Sequence, residues 1–191
     1  ALYSTACVYG GFTNTLDDCG ALNSPFGTTS QGSVGFSASY DIGNGFTGAI
    51  GYAGSGTDKG LGTKLGLDYY GGQIAYSEDN YGLSVTYANL EGSTIDNTVL
   101  GLNGYYIPDS NLPSISVGYE MTTQSLGNDK DQWFVGLQFD EAVGPGTFGV
   151  AAGSKGAIVD GGTENNAYEA FYSYPVNDGM TITPAVFILE S

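Results

Sequence analysis

Histidine is absent from the 191-residue chain, and basic residues are scarce. Without histidine there is no Ser-His-Asp triad, no Cys-His pair and no histidine-ligated zinc. Four Lys+Arg residues stand against twenty Asp+Glu residues, which gives a formal net charge of −16. So few cations cannot track a phosphate backbone. The composition therefore excludes nucleic-acid binding, and it also excludes adhesion to anionic lipid through a basic patch.

Long apolar runs are also missing, since no stretch approaches the roughly 18 residues that a membrane-spanning helix needs. Disorder is not expected either, because 41% of the residues are hydrophobic and 13% are aromatic. Cysteine is limited to Cys7 and Cys19, which lie in a Gly/Asn/Asp-rich stretch without CxxC spacing. This arrangement favours a disulfide across a loop, in an oxidising compartment. Two unpaired thiols are the alternative.

The strongest positive signal is the alternation of apolar residues with small or polar ones. It is clearest in the segments 33–41, 83–87, 115–121 and 133–139. This period of two predicts about ten β-strands. Short Gly/Asn/Asp/Pro turns alternate with longer polar loops along the chain. The short turns are 42–44, 78–80, 108–112, 141–145 and 175–178, and the longer loops are 54–63, 89–97, 122–131 and 154–165. An antiparallel up-and-down sheet has such an order.

The face opposite the apolar one indicates the class of the sheet. It consists mostly of Gly, Ser, Thr, Ala and Asn, with some acidic residues and almost no Lys. A soluble sandwich normally exposes charged residues, including lysine, on its outer strands. A transmembrane barrel instead turns apolar residues to lipid and small polar residues to a water-filled lumen. We therefore predict an all-β, antiparallel up-and-down transmembrane β-barrel.

Aromatic residues stand near both ends of the predicted strands. Near the short turns are Tyr40, Tyr76, Tyr106, Phe139 and Tyr174, and near the longer loops are Tyr52, Tyr87, Tyr119, Trp133 and Tyr168. Trp133 and Phe139 lie six positions apart, or about 20 Å along a strand. This spacing approaches the ~25 Å apolar band that two aromatic girdles bound in membrane barrels. The alternative is that they are core aromatics of a soluble sheet.

Turn and strand motifs carry a family resemblance. An aromatic–turn–glycine–strand unit recurs as YDIGNGFTG, YSEDNYGLSV and YSYPVNDGMTITPAVFILE. The last motif, with Asn-Asp-Gly before Thr-Ile-Thr-Pro, resembles cyanobacterial outer-membrane porins of the carbohydrate-selective (OprB-type) family. The similar strand and turn rhythm covers about residues 30–191. The resemblance implies an outer-membrane location, passive transport, sugars among the solutes and a homotrimer.

The chain departs from that family in several ways. Members usually have more strands, a cell-wall-binding N-terminal domain and an aromatic final residue, whereas this chain ends Leu189-Glu190-Ser191. We therefore expect the later part of a larger barrel. Residues 1–30, with the cysteine pair, are predicted to be a loop or plug-like segment, and residues 31–191 the barrel strands. Pro184 lies within a strand pattern, which predicts a bulge or local edge there.

The resulting functional hypothesis is a porin with a water-filled channel that prefers cations. The predicted pore-lining residues are Asp41, Lys64, Asp68, Gln73, Asn103, Glu120, Gln138, Asp140 and Glu169. Carboxylates stabilise cations inside a channel and repel anions. The expected partners are outer-membrane lipid, small solutes and inorganic ions. We expect no catalytic residue, no metal and no cofactor, since histidine is absent and no local motif singles out a pair of carboxylates.

Three alternatives remain open at this point. Tyr70, Tyr105 and Phe171 are candidate sugar-stacking platforms, or they pack against a plug or loop. The acidic loop residues either bind divalent cations or form a solvated surface; they are Asp58, Asp96, Asp129, Asp131, Asp160 and Glu164. The competing class is a non-transporting β protein, either an outer-membrane adhesin or receptor barrel or a soluble acidic β-sandwich.

Overall fold

The structure is a computed structural model that describes residues 6–11, 33–55, 62–63, 66–92, 94 and 96–191. The described residues form an all-β fold, and none of them lies in a helix that would be long and apolar enough to span a bilayer. The strands are β1 (Ser33–Gly43), β2 (Phe46–Ser55), β3 (Asp68–Ser77), β4 (Tyr81–Glu91), β5 (Asn97–Tyr106), β6 (Ser114–Gln124), β7 (Lys130–Val143), β8 (Gly146–Ser154), β9 (Ile158–Val159), β10 (Asn166–Asn177), β11 (Met180–Ile182) and β12 (Ala185–Leu189).

Each long strand pairs with its sequence neighbours in an antiparallel, up-and-down sheet. The order is β1-β2-β3-β4-β5-β6-β7-β8-β10-β11, with β12 also on β10 and the two-residue β9 on β7. Among the described strands β1 pairs only with β2 and β12 only with β10, so the sheet is open. The predicted up-and-down topology is confirmed, whereas closure into a barrel is not seen.

Tight turns form where the sequence supplies residues that accept positive φ. Asn44 and Gly45 connect β1 to β2 with φ angles of 52° and 81°, as two-residue hairpin turns require. Because neighbouring strands are antiparallel, the connections after β1, β3, β5, β7 and β10 lie at one end of the sheet and those after β2, β4, β6 and β8 at the other. The turns after β1, β3 and β7 have two or three residues, whereas the connection after β5 (107–113) has seven and those after β4 and β6 have five each. The predicted alternation of loop lengths therefore breaks at the connection after β5.

The last hairpin and the two-residue β9 together account for the two strands beyond the ten expected. Thr183 and Pro184 separate β11 from β12, yet both pieces pair with β10. Tyr174 pairs with Ile182, and Phe171 pairs with Ala185. The two pairs are three positions apart on each strand, so the register is kept across the break. Proline has no N–H to donate to the ladder. The disturbance expected at Pro184 is thus a break in one strand without a shift in register.

Exposure along the strands is the reverse of that in a soluble sheet. In β6, Val117 is 44% exposed while its neighbour Ser116 is 1% exposed. In β4, Val85 is 49% exposed and Thr86 is 4% exposed. We call the exposed side, with Phe36, Leu83, Val85, Val117 and Val135, the apolar face; the opposite side is the polar face. The apolar side chains of the alternating pattern are thus the exposed ones in these strands, and the small polar side chains are the buried ones.

One glycine lets two strands approach closely. A Cβ placed on Gly71 of β3 would lie 2.4 Å from the carbonyl oxygen of Tyr87 and 2.9 Å from the Cα of Ala88, both in β4. Because these are backbone atoms, the strands would have to move apart. We expect Gly71→Ala to lower the free energy of unfolding by about 1–3 kcal/mol, as overpacking does.

The matched control is Gly48→Ala in β2. A Cβ at Gly48 meets only the side chain of Ile42, at 3.4 Å or more. We expect this control to change stability by no more than about 0.5 kcal/mol. Urea unfolding of both variants, followed by circular dichroism, measures the difference. Equal losses in the two variants would contradict the close approach of β3 and β4 at Gly71.

Candidate functional site

The polar face carries buried hydrophilic side chains that come from several strands. They are Gln73, Ser84, Thr86, Asn103, Ser116, Glu120 and Glu169. Strand pairing sets them side by side, since Gln73 pairs with Thr86 and Ser84 pairs with Asn103. The Gln73 amide Nε2 donates a hydrogen bond to Thr86 Oγ1 at 2.7 Å. We take this face as the candidate functional site.

Most of the predicted pore-lining residues lie on the polar face. Strand register places Asp41, Gln73, Asn103, Glu120, Gln138, Asp140 and Glu169 there. Lys64 lies outside the described residues. Asp68 is the exception, because it falls on the side of Tyr70 and Ile74, where its Oδ1 accepts a hydrogen bond from the hydroxyl of Tyr52. The placement of Asp68 on the polar face was therefore wrong.

The physical reason is that β3 keeps its alternation through Gly71 and Gly72. In the sequence the apolar positions are odd before these glycines (Leu65, Leu67, Tyr69) and even after them (Ile74, Tyr76), which placed Asp68 on the polar side. The pairing of β3 with β2 and β4, however, runs from Asp68 to Tyr76 without a register shift. Tyr69 is therefore buried on the polar face, while Tyr70 is 43% exposed on the apolar face. The expectation that Tyr70 faces inward as a stacking platform is corrected for the same reason.

The carboxylates on the polar face differ in their surroundings. Glu120 and Glu169 are 1% and 5% exposed. Asp140 is exposed, and its Oδ1 accepts hydrogen bonds from Thr147 Oγ1 at 2.9 Å and Gln138 Nε2 at 3.3 Å. Asp41 accepts a bond from the amide of Gly43, at 2.8 Å, and so stabilises the first turn. The buried carboxyl groups of the polar face thus lie in β6 and β10.

Asn103 has an unusual environment in β5. The residue is 4% exposed, and among the described residues neither its Nδ2 nor its Oδ1 has a hydrogen-bond partner. The Ser84 hydroxyl opposite it in β4 is likewise buried, with no partner in the described part of the chain. A buried amide without partners costs about 1–3 kcal/mol. Water or a polar solute that reached this pair would satisfy both groups.

The segment formed by residues 6–11 lies across the polar face of β6, β7 and β10. The amide of Val8 donates to Ser116 Oγ, and the amide of Gly10 donates to Gln138 Oε1, each at 3.1 Å. The hydroxyl of Tyr9 donates to Glu169 Oε1 at 2.8 Å. Cys7 in this segment is disulfide-bonded, and Cys19, the other cysteine, lies outside the described residues.

The ring of Tyr9 belongs to a small aromatic cluster. Its centroid lies 5.4 Å from that of Phe134 and 5.8 Å from that of Phe171. Phe171 thus packs against the 6–11 segment. Of the two alternatives for Phe171, a sugar-stacking platform or packing against a plug or loop, this contact agrees with the second. Tyr105 donates its hydroxyl to the carbonyl of Glu78 at 2.9 Å. We did not predict from the sequence that Tyr9 or Phe134 belongs to the site. The only signal for Phe134 is that an aromatic residue stands at a position where the alternating pattern otherwise has small or polar residues.

Aromatic residues on the apolar face form two bands, one near each end of the sheet. Their hydroxyl and indole groups bond to residues of the adjoining turns and loops. Tyr76 donates to Glu78 Oε1, and Trp133 Nε1 donates to Glu164 Oε1, both at 2.9 Å. Tyrosine and tryptophan combine an apolar ring with a polar tip. The rings therefore remain on the apolar face while their tips point to the polar ends.

The acidic loop residues hold the loops together. Asp129 Oδ1 accepts from the amide of Gln124 at 3.1 Å, and Asp96 Oδ1 accepts from that of Gly92 at 3.2 Å. Asp58 lies outside the described residues. Within the described ranges, no three Asp, Glu, Cys or His side chains are placed to hold a metal ion. The loop carboxylates that have amide partners therefore act as turn-stabilising groups.

Comparisons with protein-family models, with curated proteins and with solved structures find no match to this chain.

Proposed function

We propose that this chain forms the wall of a porin, a water-filled channel in the cell outer membrane. Its apolar face contacts lipid in this proposal, and its polar face borders the channel. The observation that carries the proposal is the reversed exposure of the strands, in which Val85 and Val117 are exposed while Thr86 and Ser116 are buried. A soluble sheet turns its valines inward and its polar residues to water.

The two aromatic bands support the same proposal. Tyr and Trp favour the interfaces between hydrocarbon and headgroups, because the ring is apolar and the tip is polar. Tyr119 and Trp133 pair across β6 and β7 in one band, and Tyr81 and Tyr106 pair across β4 and β5 in the other. Pairing between neighbouring strands provides hydrogen-bond partners for the backbone N–H and C=O groups. A bilayer requires this, because its interior has no water to bond to them. In the membrane the free edges of β1 and β12 must therefore be paired, with each other or with strands of a larger barrel.

The polar face favours the passage of cations and small neutral solutes. It carries Asp41, Glu120, Asp140 and Glu169, and the chain as a whole has a net charge of −16. Negative groups along a channel lower the energy of cations inside it and raise that of anions. We therefore propose passive diffusion of inorganic cations and small neutral solutes, with sugars included by the family resemblance.

Reversal potentials in planar lipid bilayers test this function. With the purified chain and a salt gradient of KCl across the bilayer, we expect discrete conductance steps and a reversal potential that indicates preference for K⁺. Glu120→Gln removes one charge from the polar face and should reduce the preference. Asp79→Asn removes one charge from the exposed 78–80 turn and should leave the preference unchanged.

Three outcomes would contradict the proposal. A preference for chloride would exclude the cation-preferring channel. A chain that stays soluble without detergent and never conducts would favour the non-transporting class, a soluble β-sandwich; insertion without conductance would favour an adhesin or receptor barrel. Sedimentation of the detergent-solubilised protein tests the homotrimer that the resemblance implies.

A further inference from the structure

The 6–11 segment occupies a defined place on the polar face. Its three hydrogen bonds reach Ser116 in β6, Gln138 in β7 and Glu169 in β10, which are 108, 128 and 160 residues away from their partners in the chain. Two of the bonds come from backbone amides and one from a side chain. Since the contacts reach from β6 to β10, with β8 lying between β7 and β10, the segment runs across these strands and covers this part of the polar face.

Three residues from two strands, β7 and β10, surround the Tyr9 ring. Phe134 and Phe171 contact the ring. Gly136 lies beneath it, and a Cβ there would come within 2.7 Å of the Tyr9 ring atoms Cγ and Cδ2. The glycine therefore leaves the room that the ring fills. Tyr9 itself is only 5% exposed.

The Tyr9 phenol is held as a hydrogen-bond donor. Burial, and next the hydrogen bond to Glu169, raise the pKa of Tyr9 well above its usual range. The group thus stays protonated at neutral and mildly alkaline pH, and it can keep donating to the Glu169 carboxylate. A hydrogen bond from such a donor to an ionised acceptor is stronger than a hydrogen bond between two neutral groups.

We infer that the 6–11 segment is a fixed constriction of the channel and that Tyr9 is the residue which holds it in place. This inference rests on the proposed function as a channel. The segment takes up space on the polar face that a solute moving past β6, β7 and β10 would need. The size limit for solutes is then set by the position of this segment, and the charges along the polar face set the preference for ions.

Single-channel conductance of the full chain tests the inference, together with the size of neutral polyethylene glycols that enter the channel. We expect Tyr9→Ala to raise the conductance and to admit larger polymers, because the ring and its bond to Glu169 are lost. Tyr9→Phe keeps the packing and removes only the hydroxyl, so a smaller rise is expected. The control is Leu112→Ala in the connection between β5 and β6, where the side chain is 68% exposed, and it should conduct as the wild type does.

A second route avoids the aromatic cluster in case Tyr9→Ala does not fold. The double variant Ser116→Ala/Gln138→Ala removes both acceptors of the segment's backbone amides and leaves Tyr9 in place. We expect faster hydrogen exchange at the amides of Val8 and Gly10, and a larger conductance than that of the wild type.

The outcomes separate the two proposals. If the wild type conducts and the Tyr9 and double variants conduct equally, the constriction is refuted while the channel stands. If only the variants conduct, the segment closes the channel completely, and a constriction that sets a size limit is refuted. If neither the wild type nor the variants conduct, the channel is refuted and the constriction with it.

Discussion

Replacing Val117 with arginine is expected to destabilise the protein in a lipid bilayer by about 2–4 kcal/mol, the cost of a cation at the middle of the lipid face of a barrel. Val117 pairs with Gly104 and Val135, and it lies between the two aromatic bands of the apolar face. Because the side chain is 44% exposed, the same substitution in a soluble sheet would place the charge in water at little cost. Urea unfolding in lipid vesicles measures the loss.

The matched control is Leu112→Arg in the connection between β5 and β6. Leu112 is 68% exposed and lies at the end of the sheet, where the arginine reaches water in either environment. We expect this control to change stability by no more than about 0.5 kcal/mol. If Val117→Arg were tolerated as well as Leu112→Arg, the apolar face would not be in contact with hydrocarbon.

Phe134→Ala is the second substitution with a large expected effect. Phe134 is 1% exposed on the polar face and packs against Tyr9. Truncating a buried phenylalanine costs about 3–5 kcal/mol, because apolar contacts are lost and a cavity remains. We expect a loss of stability in this range in urea unfolding, together with faster hydrogen exchange at the amides of the 6–11 segment.

Phe134→Leu is the control for that substitution. Leucine fills most of the space and keeps an apolar contact with Tyr9, so a smaller loss of stability is expected. A Phe134→Ala variant as stable as the wild type would mean that the cluster of Tyr9, Phe134 and Phe171 is not a packed core.

The sequence was sufficient to predict the sheet wherever one face alternates cleanly with the other. In β6 the alternation of Ile115, Val117 and Tyr119 with Ser116 and Gly118 gave both the strand and the direction of its side chains, as the structure has them. The hairpin at Asn44-Gly45 was predictable because both residues accept positive φ. These are local properties, set by neighbouring residues.

Contacts between distant parts of the chain were not predictable in this way. The position of Tyr9 depends on Phe134, Gly136 and Phe171, and no periodic pattern links residue 9 to strands more than a hundred positions away. Asp68 and Tyr70 were assigned to the wrong faces because glycines have no side chain to show which way a strand continues. Only the pairing of β3 with β2 and β4 resolves the direction there.

The neighbour-to-neighbour order of the sheet has a consequence for assembly. Each hairpin from β1 to β8 closes a short loop, so we expect pairing to spread from hairpin to hairpin with little entropic cost per step. The bond between Tyr9 and Glu169 is different, since its two ends are 160 residues apart. It can form only after β10 has joined the sheet, and the N-terminal residues are therefore expected to be the last part of the described chain to reach their final position.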